Sequence, residues 1–237
     1  MKRMLLLIFI ASLFVLIGWG QQPSEKLQAY QENNEIIGSE KDEIIGEVSE
    51  TIYDTIDRSN SKAEEIFIGP IEGLGEDVTP PEGRYRISTG EPPVTEDGAV
   101  MMVPQSGRVL VYDVAGVLLL SEIIDYSFVG SVTLDLDGSH TVHIDGLDDA
   151  MIIPVDTVVS NDLSAGIWEV GKDIEAGNYS VFPTEFGFGD LQIFEKGKSP
   201  RLFEFLDTTP DTAVEVELKE GQKLKVSSLY SLTFEPL

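Results

Sequence analysis

Apolar and polar residues alternate in short runs through the last third of the chain. Leu191 and Ile193 form one run, Leu202, Phe203 and Phe205 another, then Val214, Val216 and Leu218, then Leu224 and Val226, then Leu232 and Phe234. A period of two buries one face of each run and wets the other, as in antiparallel sheets. Turn signals separate the runs at Lys196-Gly197-Lys198, Pro210-Asp211 and Glu220-Gly221. Strands spaced in this way predict a sandwich or a small barrel.

The same pattern occurs earlier in the chain at a constant shift of 82 residues. Val132, Leu134, Leu136, Val142, Ile144, Leu147, Ile152 and Pro154 fall on Val214, Val216, Leu218, Leu224, Val226, Leu229, Phe234 and Pro236. Upstream, Leu74-Gly75-Glu76-Asp77-Val78 and Gly83-Arg84-Tyr85-Arg86-Ile87 match Val170-Gly171-Lys172-Asp173-Ile174 and Gly177-Asn178-Tyr179-Ser180-Val181. The shift is 94 there, so about twelve extra residues lie near 88–104, around Glu91-Pro92-Pro93 and Asp97-Gly98. The chain is therefore expected to be all-β, with two tandem related antiparallel β-sandwich-like domains at 66–158 and 162–237.

The segments before residue 66 have another character. Lys2 and Arg3 precede an apolar run from Met4 to Ile17, followed by Gly18-Trp19-Gly20. This reads as a signal peptide or N-terminal anchor over residues 1–20, with cleavage before Gln21. Leu16-Ile17-Gly18 also resembles the start of a lipobox, but Trp19 stands where the lipidated Cys would be. Residues 21–65 are polar and acidic. Ile37, Ile44, Val48, Ile52 and Ile56 trace a helical stripe interrupted by Gly38 and Gly46, closed by Ser59-Asn60-Ser61, which predicts a helical or disordered spacer.

The repeated motif has a physical reading. Gly171 and Gly177 allow tight turns around a short extended piece, Asp173 can bond nearby backbone amides, and Tyr179 can bury its ring while its hydroxyl finds a partner. Gly75, Asp77, Gly83 and Tyr85 are their counterparts. The eight residues are expected to form structural corners, because they recur while neighbouring charges do not: Lys172 pairs with Glu76, and Asn178 with Arg84. The run Trp168-Glu169-Val170-Gly171-Lys172-Asp173-Ile174, then Ala176-Gly177-Asn178-Tyr179, resembles a β domain of exported and lipid-anchored proteins of Gram-positive bacteria, marked by an aromatic residue, V-G-x-D-I and G-x-Y. The resemblance covers 164–237 and, more loosely, 68–155. It implies a fold and an extracytoplasmic location rather than an activity.

Composition narrows the chemistry. The 237 residues include no Cys, so disulfides and thiolate metal sites are excluded. Net charge is −26, from 42 acidic and 16 basic residues, and no basic patch is present to neutralise phosphates, which argues against nucleic acid. Asp135, Asp137 and Asp145, with Asp148 and Asp149, surround a predicted hairpin and are the candidate metal residues. Calcium would use such oxygens, but the acid needed at EF-hand spacing is missing, and an Asp-Gly turn explains the cluster. His140 and His143, the two histidines, should point to opposite faces of a strand. No nucleophile elbow, phosphate loop or dinucleotide fingerprint occurs. Trp168, Phe182, Phe186 and Phe188 could stack on sugars, or pack in the core and loops. The expected function is a non-enzymatic exported cell-envelope protein, a binding module without a cofactor. Its partner would be a wall polymer or envelope protein, and it would meet the membrane through its N-terminus alone. The alternatives are a hydrolase of cell-surface polymers, which needs two carboxylates about 5–10 Å apart in a cleft, and a calcium-dependent adhesin.

Overall fold

The structure, a computed structural model, describes residues 23–90, 106–125, 128–206 and 213–237. The leader at 1–20, the turns at Glu91–Pro93 and Asp97-Gly98, and the Pro210-Asp211 turn lie outside the described residues. The chain is mostly β. Strands β2 (Ile66–Ile68), β3 (Glu76–Val78), β4 (Gly83–Thr89), β5 (Ser106–Tyr112), β6 (Leu118–Asp125), β7 (Ser131–Leu136), β8 (Thr141–Asp145) and β9 (Ala150–Pro154) form the first half. The second half holds β10 (Asp162–Glu169), β11 (Gly177–Pro183), β12 (Gly189–Phe194), β13 (Arg201–Phe205), β14 (Val214–Leu218) and β15 (Lys223–Pro236).

Strand pairing follows the sequence repeat. Tyr85 on β4 faces Leu134 and Pro154, and Tyr179 on β11 faces Val216 and Pro236. Val109 faces Ile144, and Leu191 faces Val226. Gly107 presses on the Asp145 carbonyl as Gly189 presses on that of Ser227. The apolar core is correspondingly divided into two clusters, one around Tyr85, Val109, Leu134 and Ile144 and the other around Tyr179, Leu191, Phe203 and Phe234.

The repeated motif works in two ways. Gly75 and Gly171 adopt φ +94° and +90°, a left-handed turn that glycine takes without strain. Gly83 and Gly177 do not turn the chain, contrary to the expectation for Gly177. Their missing Cβ leaves room for the rings of Tyr85 and Tyr179, which lie directly over them. Each tyrosine hydroxyl then donates to a carbonyl four residues earlier, Pro81 or Glu175, at 2.9 Å. The ring of Tyr179 meets Phe234 edge-on at 5.9 Å.

The expected spacer is instead a strap. Gly38 and Gly46, both at positive φ, break the helical stripe into short pieces: α1 (Glu25–Asn33), β1 (Glu35–Ile36), α2 (Ser39–Ile45) and a single tight turn at Glu50–Tyr53. β1 adds an edge strand to β13, and the Glu35 carboxylate grips Arg201 at 2.9 and 3.0 Å. Tyr30 donates to Glu204 at 2.6 Å, and that bond, with burial and the carboxylate's charge, pushes the phenol pKa up to about 12. Farther along, Ile52 enters the first core and Asn60 bonds the Arg84 amide and the Val155 carbonyl. The stripe reads as helical because its apolar spacing is helical; in the fold Val48 and Ile52 pack into the first core, Ile56 is buried and Ile44 stays exposed. Among the described residues no helix is long and apolar enough to cross a membrane.

Replacing Tyr179 with Ala should cost about 3–5 kcal/mol of stability, since its ring is 4 % exposed. Tyr179→Phe, which removes the hydroxyl bond alone, should cost about 1 kcal/mol. Urea midpoints of the full chain give both values.

Candidate functional site

The two halves meet where β7 and β10 run parallel, at Thr133 and Gly166. Gly166, at φ +140°, lies so close that any Cβ would strike the Thr133 carbonyl. This contact joins nine strands into one continuous path, β1-β13-β12-β15-β10-β7-β4-β9-β2, with β11 and β14 attached at β15. The remaining strands form a separate sheet, β3-β8-β5-β6.

Beside that contact is a buried charge cluster built from the strap and both halves. Arg84 on β4 is 1 % exposed, and Asp173 is fully buried. Arg84 Nη1 donates to Asp135 Oδ1 on β7 at 2.9 Å, and its Nη2 lies 2.9 Å from Asp173 Oδ1. That second approach is not aligned as a hydrogen bond, so Asp173 holds Nη2 by charge. Arg58 of the strap bridges the same acids, donating to Asp135 at 2.6 and 3.0 Å and to Asp173 at 2.9 and 3.1 Å. Burial alone would lower the Arg58 pKa, but the charges and hydrogen bonds of Asp135 and Asp173 reverse this and raise it. Burial likewise opposes the charge on Glu169. Hydrogen bonds and charge from Lys223, at 2.7 Å, and Lys172, at 3.1 Å, outweigh it and hold the carboxyl below the usual range. Three acids thus face Arg58, Arg84 and Lys223 in the interior, and the Arg84 guanidinium also covers the Trp168 ring at 4.9 Å.

These positions correct several expectations. Asp173 does bond the Glu169 amide, at 2.8 Å, as a corner residue would, but its charge also clamps two arginines. Asp77 is not its equivalent: its side chain is 69 % exposed and bonds His143. Asp135, a candidate metal residue, is occupied by guanidinium groups. Asp137 accepts the Ser139 and His140 amides as a turn residue, and Asp145 pairs with Arg108 and His143. The three carboxylates therefore serve separate partners, and among the described residues no group of three His, Asp or Glu could hold a metal. The histidines also part: His140 is buried against Thr51, where desolvation lowers its pKa, while His143 lies toward the surface. Phe186 and Phe188 pack edge-on against each other but remain 64 % and 58 % exposed.

Sequence reasoning missed Arg58 and Arg84. The signal for Arg84 is scarcity, because only Arg84, Arg86 and Arg108 carry positive charge between residues 66 and 160, whereas Arg58 shares its segment with Lys26, Lys41 and Lys62 and carries no such signal. An arginine flanked by Gly83 and Tyr85 in so acidic a chain marks a place where acids need neutralising.

Next to the cluster lies an open groove of about 540 Å³ with walls from both halves: Arg86, Ser88 and Ser131 from the first, Ser164, Trp168 and Tyr230 from the second. Tyr230 is 57 % exposed, while the indole N–H of Trp168 is bonded to the Ser164 carbonyl. The groove therefore offers an exposed ring, a guanidinium and several hydroxyls on a braced scaffold. Comparison with known proteins finds no matching family model, curated protein or solved structure.

Asp173→Asn keeps an acceptor for the Glu169 amide but leaves Arg58 and Arg84 short of one negative charge. It should cost about 3–5 kcal/mol, as breaking one side of a buried ion cluster does. Urea unfolding at neutral pH provides the measurement, and a cost under about 1 kcal/mol, the range of exposed ion pairs, would show the cluster to be effectively solvated.

Proposed function

We propose that this protein is a non-enzymatic extracytoplasmic binding module that recognises a cell-wall polymer, and that it consists of two tandem related β-sandwich-like domains behind an export leader. The observation that carries the binding reading is the Trp168–Tyr230 groove. Glycans are held by aromatic rings against their C–H faces and by polar groups on their hydroxyls, and the groove supplies both kinds of contact. Supporting the tandem reading, equivalent strand pairings recur at the shift read from the sequence. The extracytoplasmic placement draws on the basic and apolar start of the chain and on the resemblance carried by Val170-Gly171-Lys172-Asp173-Ile174. A net charge of −26 turns the choice away from polyanions and toward neutral glycan.

Sedimentation of the full chain with purified Gram-positive cell walls tests this. The native chain should pellet with the walls. Tyr230→Ala should weaken binding by about 30-fold, matching the roughly 2 kcal/mol typical of a tyrosine anchor. Leu74→Ala, at a residue 93 % exposed and away from the groove, should bind as the native chain does. A native chain that stays in the supernatant, or a Tyr230→Ala variant that binds undiminished, would refute the proposal. Release of soluble wall fragments would favour the hydrolase alternative.

A further inference from the structure

A second concavity of about 540 Å³ opens between the end of α2, β6, β12 and β15. Asp190 and Gln192 are two residues apart on β12 and so share a face, and Gln192 is the register partner of Lys225 on β15. The corresponding residues in the first half are Arg108, Leu110 and His143, so this polar set belongs to the second half alone.

Gln192 is 4 % exposed and lines the cleft. Its Nε2 donates to Asp190 Oδ1 at 2.8 Å, which fixes the amide with Oε1 on the other side. Among the described residues nothing donates to that buried oxygen. A buried acceptor without a donor is costly to a fold and rare in native proteins. Lys225 stands opposite, 5.9 Å above the Phe194 ring, with no carboxylate within ion-pair distance among the described residues. Burial pushes the Asp190 carboxyl up and the Lys225 ammonium down, while the Gln192 hydrogen bond and the Lys225 charge oppose the first shift and the charges of Asp190 and Glu122 the second.

The rim is specialised too. Ser228 adopts φ +59° where the first half has Gly146 at +75°. Its amide is held at 2.8 Å by Glu122, a buried carboxylate of the first half whose pKa is raised by burial.

We propose that this cleft binds the neighbouring hydroxyl groups of a neutral saccharide. The site mixes an acceptor, Asp190, held in place by Gln192, with a donor, Lys225, and with serine hydroxyls that act as either. A hydroxyl donates and accepts at once, so a vicinal pair can give a hydrogen bond to Asp190 while receiving one from Lys225. An amine would meet Lys225, and a phosphate would meet Asp190 with Glu122 behind it. The inference deepens the wall-polymer reading by giving the polymer a second contact, separate from the Trp168–Tyr230 groove.

The test is titration of the full chain with D-glucose, D-galactose, D-mannose and N-acetylglucosamine, each followed through the Gln192 side-chain amide by NMR. At least one sugar should move that signal in a saturable way. Asp190→Asn, read through the Gln192 amide, and Gln192→Met, read through the Ser228 backbone amide at the rim, should each weaken binding about tenfold or more, with the rest of the folded spectrum retained. Lys225→Met supplies the same comparison should either of those variants fail to fold. The proposal is overturned if no sugar moves the amide, if putrescine or inorganic phosphate moves it and no sugar does, or if the variants bind as the native chain does. The effect of Tyr230→Ala on wall sedimentation reads the other groove alone, so failure of either experiment is separable from failure of the other.

Discussion

One buried arginine, Arg84, and one partly buried arginine, Arg58, held between two aspartates set the terms for the rest of this fold. A guanidinium taken out of water is tolerable only when acids meet it, and an acid as buried as Asp173 requires the reverse. Arg84 and Asp135 come from the first half and pair with each other, but Asp173 of the second half is met by Arg84 and by Arg58 of the strap, so the cluster closes only when all three segments are in place. The Gly166–Thr133 contact brings the halves close enough for this exchange, and the strap closes it. The junction is specified by charge pairing and close backbone approach more than by apolar area, since the two hydrophobic clusters lie mainly within their own halves.

Duplication and divergence have separate places in the molecule. What recurs is what each β unit needs for itself: the left-handed glycines Gly75 and Gly171, the glycines beneath the tyrosine rings, and the tyrosines with their local hydroxyl bonds. What differs lies where one half touches the other or lines a cavity. Arg84 replaces Asn178, Asp173 acquires a role that Asp77 lacks, and Ser228 takes a backbone conformation that Gly146 adopts freely. Backbone strain of that kind is retained only where surrounding contacts enforce it, here through Glu122 reaching across from the other half.

Much of the strand content was legible, because period-2 runs such as Val214, Val216 and Leu218 have a single structural meaning when one face is buried. The motif's tyrosines were legible for the same reason. The strap was not, because the spacing of Ile44, Val48 and Ile52 suits a helix equally well whether or not the chain stays helical between them. Arg84 was hidden by strand parity: it shares the face of the exposed Arg86, opposite Tyr85, and nothing local says that Asp173, Trp168 and Arg58 cover one end of that face. The cleft at Gln192 was equally hidden, since an alternating Asp-x-Gln reads as the wet side of a strand until the first half and the strap are placed over it.

Native-state amide hydrogen exchange tests the central claim most directly. In the native chain the most protected amides of β4 and β11 should exchange with the same opening free energy, because the charge cluster makes the two halves unfold together. In Arg84→Met the two values should separate, one half opening at lower free energy while the other stays protected. If the halves already exchange independently in the native chain, or remain coincident at unchanged free energy in Arg84→Met, the buried cluster does not couple them and the account fails.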